Sequence, residues 1–100
     1  MTPYARRVLD VVDAIPAGRV LTYGDIAELL GTGAARAVGT VLARYGSEVP
    51  WHRVVLSTGA PAPGHEEVAV RLLLAEGVPL RDGRVDLPSA RWVAADLPAG

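Results

Sequence analysis

One hundred residues give room for one compact domain with a modest core, and half of them are apolar, which argues against disorder despite 11 glycines and 8 prolines. There is no cysteine, so disulfides, thiolate metal sites and every thiol mechanism are excluded. A formal charge of −1 excludes holding nucleic acid by bulk charge, so any such binding must be local.

In chain order, Thr2 followed by Pro3 predicts a helix start, and Tyr4, Val8, Val11, Val12 and Ile15 recur at helical spacing as far as the Pro16-Ala17-Gly18 stop. Val20-Leu21-Thr22 is a short β-prone run. Thr22 and Asp25 have the spacing of a capping box, which predicts a second helix over Tyr23 to Leu30 with Gly31 as its stop. A third helix starts near Thr32 to Ala34 and ends near Tyr45-Gly46, with Val38, Val41, Leu42 and Tyr45 as its buried stripe. Its other face is built of small residues, Ala34, Ala35, Ala37, Gly39, Thr40 and Ala43, among which Arg36 is one of the few long side chains.

From Ser47 to Pro63 helical periodicity disappears, and prolines and glycines mark loops around an extended Arg53 to Leu56 run. Glu66 to Glu76 reads as a helix with Val68, Leu72, Leu73 and Ala75 inward and Gly77 as its cap. Arg84-Val85-Asp86-Leu87 alternates like a strand, Trp92 is placed to pack on the domain, and Pro98-Ala99-Gly100 reads as a frayed end. The chain is read as one domain over 1–100, with its core in about 2–80. No apolar run approaches the roughly 20 residues of a membrane helix, and the amino terminus lacks the order of a signal peptide, so a cytoplasmic chain without membrane contact is expected.

Two short helices around a tight glycine turn form a helix-turn-helix pattern, which by itself says only that DNA contact is possible. Four blocks in register say more: Gly18-Arg19-Val20-Leu21-Thr22-Tyr23-Gly24-Asp25-Ile26-Ala27, Ala35-Arg36-Ala37-Val38-Gly39, Pro50-Trp51-His52-Arg53-Val54-Val55 and Leu72-Leu73-Leu74-Ala75-Glu76-Gly77. Together they resemble the DNA-binding, active-site domain of the O6-alkylguanine-DNA alkyltransferases over about residues 2 to 80. The fold this implies is mainly α with short β elements, a winged helix-turn-helix.

In that family the third block carries a cysteine that accepts the alkyl group from guanine. Trp51 stands there, and an indole offers an N–H donor and a π surface but no nucleophile. The resemblance is therefore to the alkyltransferase-like branch, whose members bind O6-alkylguanine without repairing it. It implies double-stranded DNA carrying O6-alkylguanine as partner, nucleotide excision repair proteins as recipients of the lesion, a monomer, no enzyme activity and no cofactor. No metal is expected either, because His52 and His65 come without the carboxylate or cysteine set that would complete a zinc site. An ordinary winged-helix binding or regulatory module without lesion specificity is the alternative.

The resemblance also assigns positions. Arg36 would enter the minor groove and fill the stack vacated by a flipped nucleotide, and Tyr23 would rotate that nucleotide outward, with Thr22, Ala35 and Gly39 beside them at the DNA. Trp51, Val54 and Tyr23 would line the lesion pocket. His52, Arg53 and Glu76 match the relay that activates the family's cysteine and would here hold the loop. On residue type alone a core tyrosine is the more frequent case for Tyr23 and a solvated helix residue for Arg36, and Trp51 has a reading as a core aromatic; the register of the blocks reverses the preference at Tyr23. The chain departs from the pattern at Tyr45, where the family usually has asparagine, and in a shorter turn between helices two and three. It departs again at Gly59 to Gly64, which replaces a stretch ending in a lesion-contacting serine.

Overall fold

The computed structural model describes residues 1–31 and 33–93. Helix α1, Pro3–Ala14, begins where the Thr2 hydroxyl accepts the Ala5 amide at 3.1 Å and Pro3 takes the first helical position. It stops because Ile15 precedes a proline and turns extended, with φ −63° and ψ 121°. Strand β1, Leu21–Thr22, runs directly into α2, Tyr23–Leu30. The capping box is formed in both directions: the Thr22 hydroxyl accepts the Asp25 amide and the Asp25 carboxylate accepts the Thr22 amide, each at 2.9 Å.

Gly31 ends α2 at φ +69°, and α3, Ala35–Tyr45, follows after a turn of 105°. That angle is the helix-turn-helix geometry expected. Strand β2, Val54–Val55, pairs in parallel with β1, Leu21 opposite Val54. Helix α4, Glu66–Ala75, is followed by a hairpin of β3, Leu80–Arg81, and β4, Arg84–Val85, then by the short α5, Leu87–Ala90. The hairpin turn is Asp82-Gly83, with φ +54° and +77°, the two left-handed residues a two-residue turn demands. A helix-turn-helix followed by this hairpin is a winged helix-turn-helix.

Because alternate strand residues face opposite sides, the β1–β2 ladder separates two cores. Leu21 and Val54 face a cluster built by α1, α2 and α3 with Trp92, while Val20 and Val55 face Leu73, Val78, Val85 and Ala90. Trp92 is held there by its amide donating to the Val20 carbonyl at 2.8 Å, so residues 90–92 strap across the start of β1.

Two expectations need correction. Val68, Leu72 and Ala75 were expected inward on α4 but are exposed, and the helix turns Ala69 and Leu73 to the core instead. Asp86 and Leu87, expected to extend a strand, cap and begin α5. The expected fray at residues 98–100 lies outside the described residues.

Candidate nucleic-acid interface

The site begins with the capping box. By fixing the entry into α2 it sets Tyr23 at the first helical position, half-buried against α3, and burial pushes the Tyr23 hydroxyl pKa up, so it stays a neutral donor. The α3 residue facing the ring is Gly39: a Cβ placed there would lie 3.9 Å from Tyr23 Cε1, in ordinary contact with the ring. Arg36 stands exposed one turn before it, with Ala35 beside it. Thr22, expected at the DNA, is instead 3% exposed and spends its hydroxyl on the helix cap.

Past α3 the chain makes two single turns of 3-10 helix, Gly46–Glu48 and Trp51–Arg53. Between them Pro50, at φ −74° and ψ 67°, lets the Trp51 amide donate to the Val49 carbonyl at 2.7 Å. That is an inverse γ-turn, and it turns the Trp51 indole out of the α1–α3 core. The indole forms a wall of a cavity of about 770 Å³ that also holds Tyr23, Ala35, Arg36 and Gly39. Sites for small organic groups run to about 300–1,000 Å³, so a nucleobase with a substituent fits the scale. The structure thus brings Tyr23, Ala35, Arg36, Gly39 and Trp51 together. It does not include Val54, which is fully buried in the core because β2 is covered on both faces.

The cavity is also lined by Ala62 and Pro63, from the loop that replaces the family's lesion-contacting stretch, and by Leu56 and His65, which the sequence did not mark as site residues. The imidazole of His65 meets the Trp51 indole edge-on, with ring centroids 5.6 Å apart and planes at 60°. The signal that could have found it is the loop itself, since Pro61, Pro63 and the left-handed Gly64 (φ +84°) turn the chain back toward Trp51 just before α4.

Under the cavity lies the triad of His52, Arg53 and Glu76. Arg53 holds the Glu76 carboxylate with two prongs, Nε to Oε1 at 3.0 Å and Nη2 to Oε2 at 2.7 Å, while His52 Nε2 lies 2.9 Å from Oε2. The Gly18 amide adds a donor to Oε1 at 3.3 Å. The Arg53 fork, opposed by desolvation but joined by His52 and Gly18, lowers the Glu76 pKa to about 2. The remaining guanidinium nitrogen donates to the Ile15 carbonyl at 2.7 Å, satisfying a group that the end of α1 leaves open. One carboxylate therefore ties the end of α4, the Trp51–Arg53 turn and the α1–β1 connection together.

The chain matches the DNA-binding domain of 6-O-methylguanine DNA methyltransferase over residues 3–78. It is 46% identical over 98 residues to a DNA base-flipping protein of Escherichia coli, an alignment that takes in 89% of this chain and 74% of that one. Among solved structures it is similar to S. pombe Atl1 in complex with damaged DNA containing O6-carboxymethylguanine, with a TM-score of 0.82 and 32% identity over 93% of this chain and 97% of that one. It also resembles Mycobacterium tuberculosis OGT in complex with DNA, with a TM-score of 0.66 and 34% identity over 77% of this chain and 50% of the longer one. With tryptophan in the Pro-Trp-His-Arg-Val segment and no cysteine in its sequence, the chain belongs to the alkyltransferase-like branch of the O6-alkylguanine-DNA alkyltransferase family.

Proposed function

We propose that this protein is a non-enzymatic sensor of O6-alkylguanine that flips the damaged nucleotide into the Trp51 cavity and leaves the alkyl group where it is. The observation that carries the reading is the placement of Trp51: an indole with no nucleophile lines an apolar cavity together with Tyr23 and Arg36. The O6 edge of guanine is inside the duplex stack, so inspection requires extrusion, at a cost of a few kcal/mol. The flat Arg36 guanidinium offsets that cost by occupying the vacated stack and hydrogen-bonding the orphaned base. Ala35 and Gly39 keep the helix surface low enough to sit in a narrow groove. S. pombe Atl1, at 32% identity, is known in complex with DNA carrying an O6-alkyl lesion, which supports the same ligand class here.

With no cysteine to accept the alkyl group, the bound lesion persists on this reading and has to be removed by other proteins. We assign that step to nucleotide excision repair, with the present chain acting as a cytoplasmic monomer that marks the site. Trp51 reports on the proposal directly, because Trp92 is buried in the core and serves as an internal reference. Titration with a duplex bearing one O6-methylguanine should change the Trp51 emission, the change should vanish in Trp51→Phe, and the protein mass should not increase by a methyl group. An identical emission change with undamaged duplex would favour a winged-helix module without lesion specificity, and a methyl gain on the protein would refute the non-enzymatic reading.

A further inference from the structure

The hairpin beyond the matched domain places two arginines directly opposite each other. Arg81 and Arg84 are cross-strand partners on either side of the Asp82-Gly83 turn, and both are exposed. Like charges facing across a two-residue hairpin destabilise it. Among the described residues no carboxylate lies within ion-pair distance of either guanidinium. Of the two acidic residues nearby, Asp82 serves the turn and Asp86 is hydrogen-bonded within its own segment. Asp82 supplies the left-handed φ of +54° at the turn, a conformation that favours Asp and Asn after Gly, and Asp86, before α5, accepts the Ser89 hydroxyl at 2.9 Å. What faces the arginines is a second concavity of about 270 Å³, which they share with the exposed Thr58 and with Asp86.

That concavity is coupled to the Trp51 cavity through one loop. Leu56 lines the Trp51 cavity and Thr58, two residues on, lines the hairpin concavity. Gly59 locks loop to hairpin, with the Val85 amide donating to its carbonyl at 2.8 Å, and at φ +85° a side chain there would strike the Val85 carbonyl oxygen. From this arrangement we infer that Arg81, Arg84 and the Thr58 hydroxyl form a separate phosphate-binding site that grips the DNA backbone beside the flipped nucleotide. Arginine forks fit phosphate oxygens, a hydroxyl adds a third donor, and a chain of net charge −1 needs such local contacts to hold DNA. The like-charge pair is then explained by the anion that bridges it in the complex.

The inference rests on the DNA-binding reading but not on lesion recognition, so the two fail separately. Binding of the full-length chain is measured on a duplex with one O6-methylguanine and on its undamaged twin over a range of salt. The double variant R81A/R84A should weaken binding to both duplexes by the same factor and reduce the slope of log affinity against log salt by about 1–2, while R81K/R84K keeps the slope. The melting temperature of the free R81A/R84A variant should be unchanged or raised, because a repulsion has been removed. A scan of single neutral methylphosphonates should reveal one or two positions that weaken the wild type but not R81A/R84A. An unchanged salt slope, a loss confined to the damaged duplex, or the absence of any such position overturns the site. Equal wild-type affinity for the two duplexes would instead refute lesion recognition and leave the slope to judge the hairpin.

Discussion

Replacing Glu76 with glutamine keeps the shape and mimics the protonated acid, with one oxygen left to accept, while removing the charge on which three elements converge. In the folded protein the carboxyl titrates at about 2 instead of its ordinary 4.5. At about 1.4 kcal/mol per pH unit that difference corresponds to about 3 kcal/mol of stabilisation by the ionised form. The side chains of Glu76 and Arg53 are 16% and 17% exposed, and the solvent that reaches them makes this figure an upper bound. The sign follows from the depressed pKa: the contribution is complete above about 4.5 and is lost as pH falls through 4.5 toward 2. Urea unfolding of wild type and Glu76→Gln across this range should show a gap of up to about 3 kcal/mol at neutral pH that closes by about pH 2. For a domain of this size a gap of that size lowers Tm by up to about 10 °C. A gap that stays constant from pH 7 to pH 2 would refute the argument, since it would locate the loss in packing and not in the charge held by Arg53 and His52.

Other variants probe the interface and its support. Arg36→Ala should leave stability within about 0.5 kcal/mol, because the residue is exposed, yet weaken binding to an O6-methylguanine duplex at least tenfold, about 1.4 kcal/mol, in a fluorescence anisotropy titration. Trp51→Cys should not give rapid single-turnover demethylation, since the wall of Ala62 and Pro63 lacks the serine expected at the lesion oxygen; the protein mass after mixing with excess damaged duplex checks this. Gly59→Ala should cost about 2 kcal/mol or more in thermal unfolding, from the left-handed φ and the collision with the Val85 carbonyl together.

Much of the scaffold could be read from residues that act locally. The capping box of Thr22 and Asp25 and the left-handed Gly31 bound α2 at the residues expected, because caps depend on neighbours three or four positions away. What misled the reading was packing at long range. On α4 the large residues Val68 and Leu72 drew the inward assignment, whereas the core admits the small Ala69 with Leu73 and leaves Leu72 at 37% exposure. The Asp82-Gly83 hairpin signal was present, but β3 is only two residues long and its partner pairs solely across that turn.

The site shows the same division. Tyr23, Arg36, Gly39 and Trp51 sit on the framework that the four sequence blocks specify, and the cavity collects them. Thr22 and Val54 belong to those same blocks, but the helix cap and the doubly covered strand bury them, a distinction of side-chain direction that block membership does not carry. His65 escaped because its place opposite Trp51 depends on how the proline loop returns, over 14 residues with no period to follow.

The most direct test of the account is the ratio of dissociation constants for one duplex with guanine and the same duplex with O6-methylguanine at a fixed salt concentration. A base that is easier to extrude and gains contact with the Trp51 wall should be held about tenfold tighter or more, since stacking on an aromatic is worth roughly 1–3 kcal/mol. Equal dissociation constants for the two duplexes would contradict the claim that this cavity reads alkylated guanine.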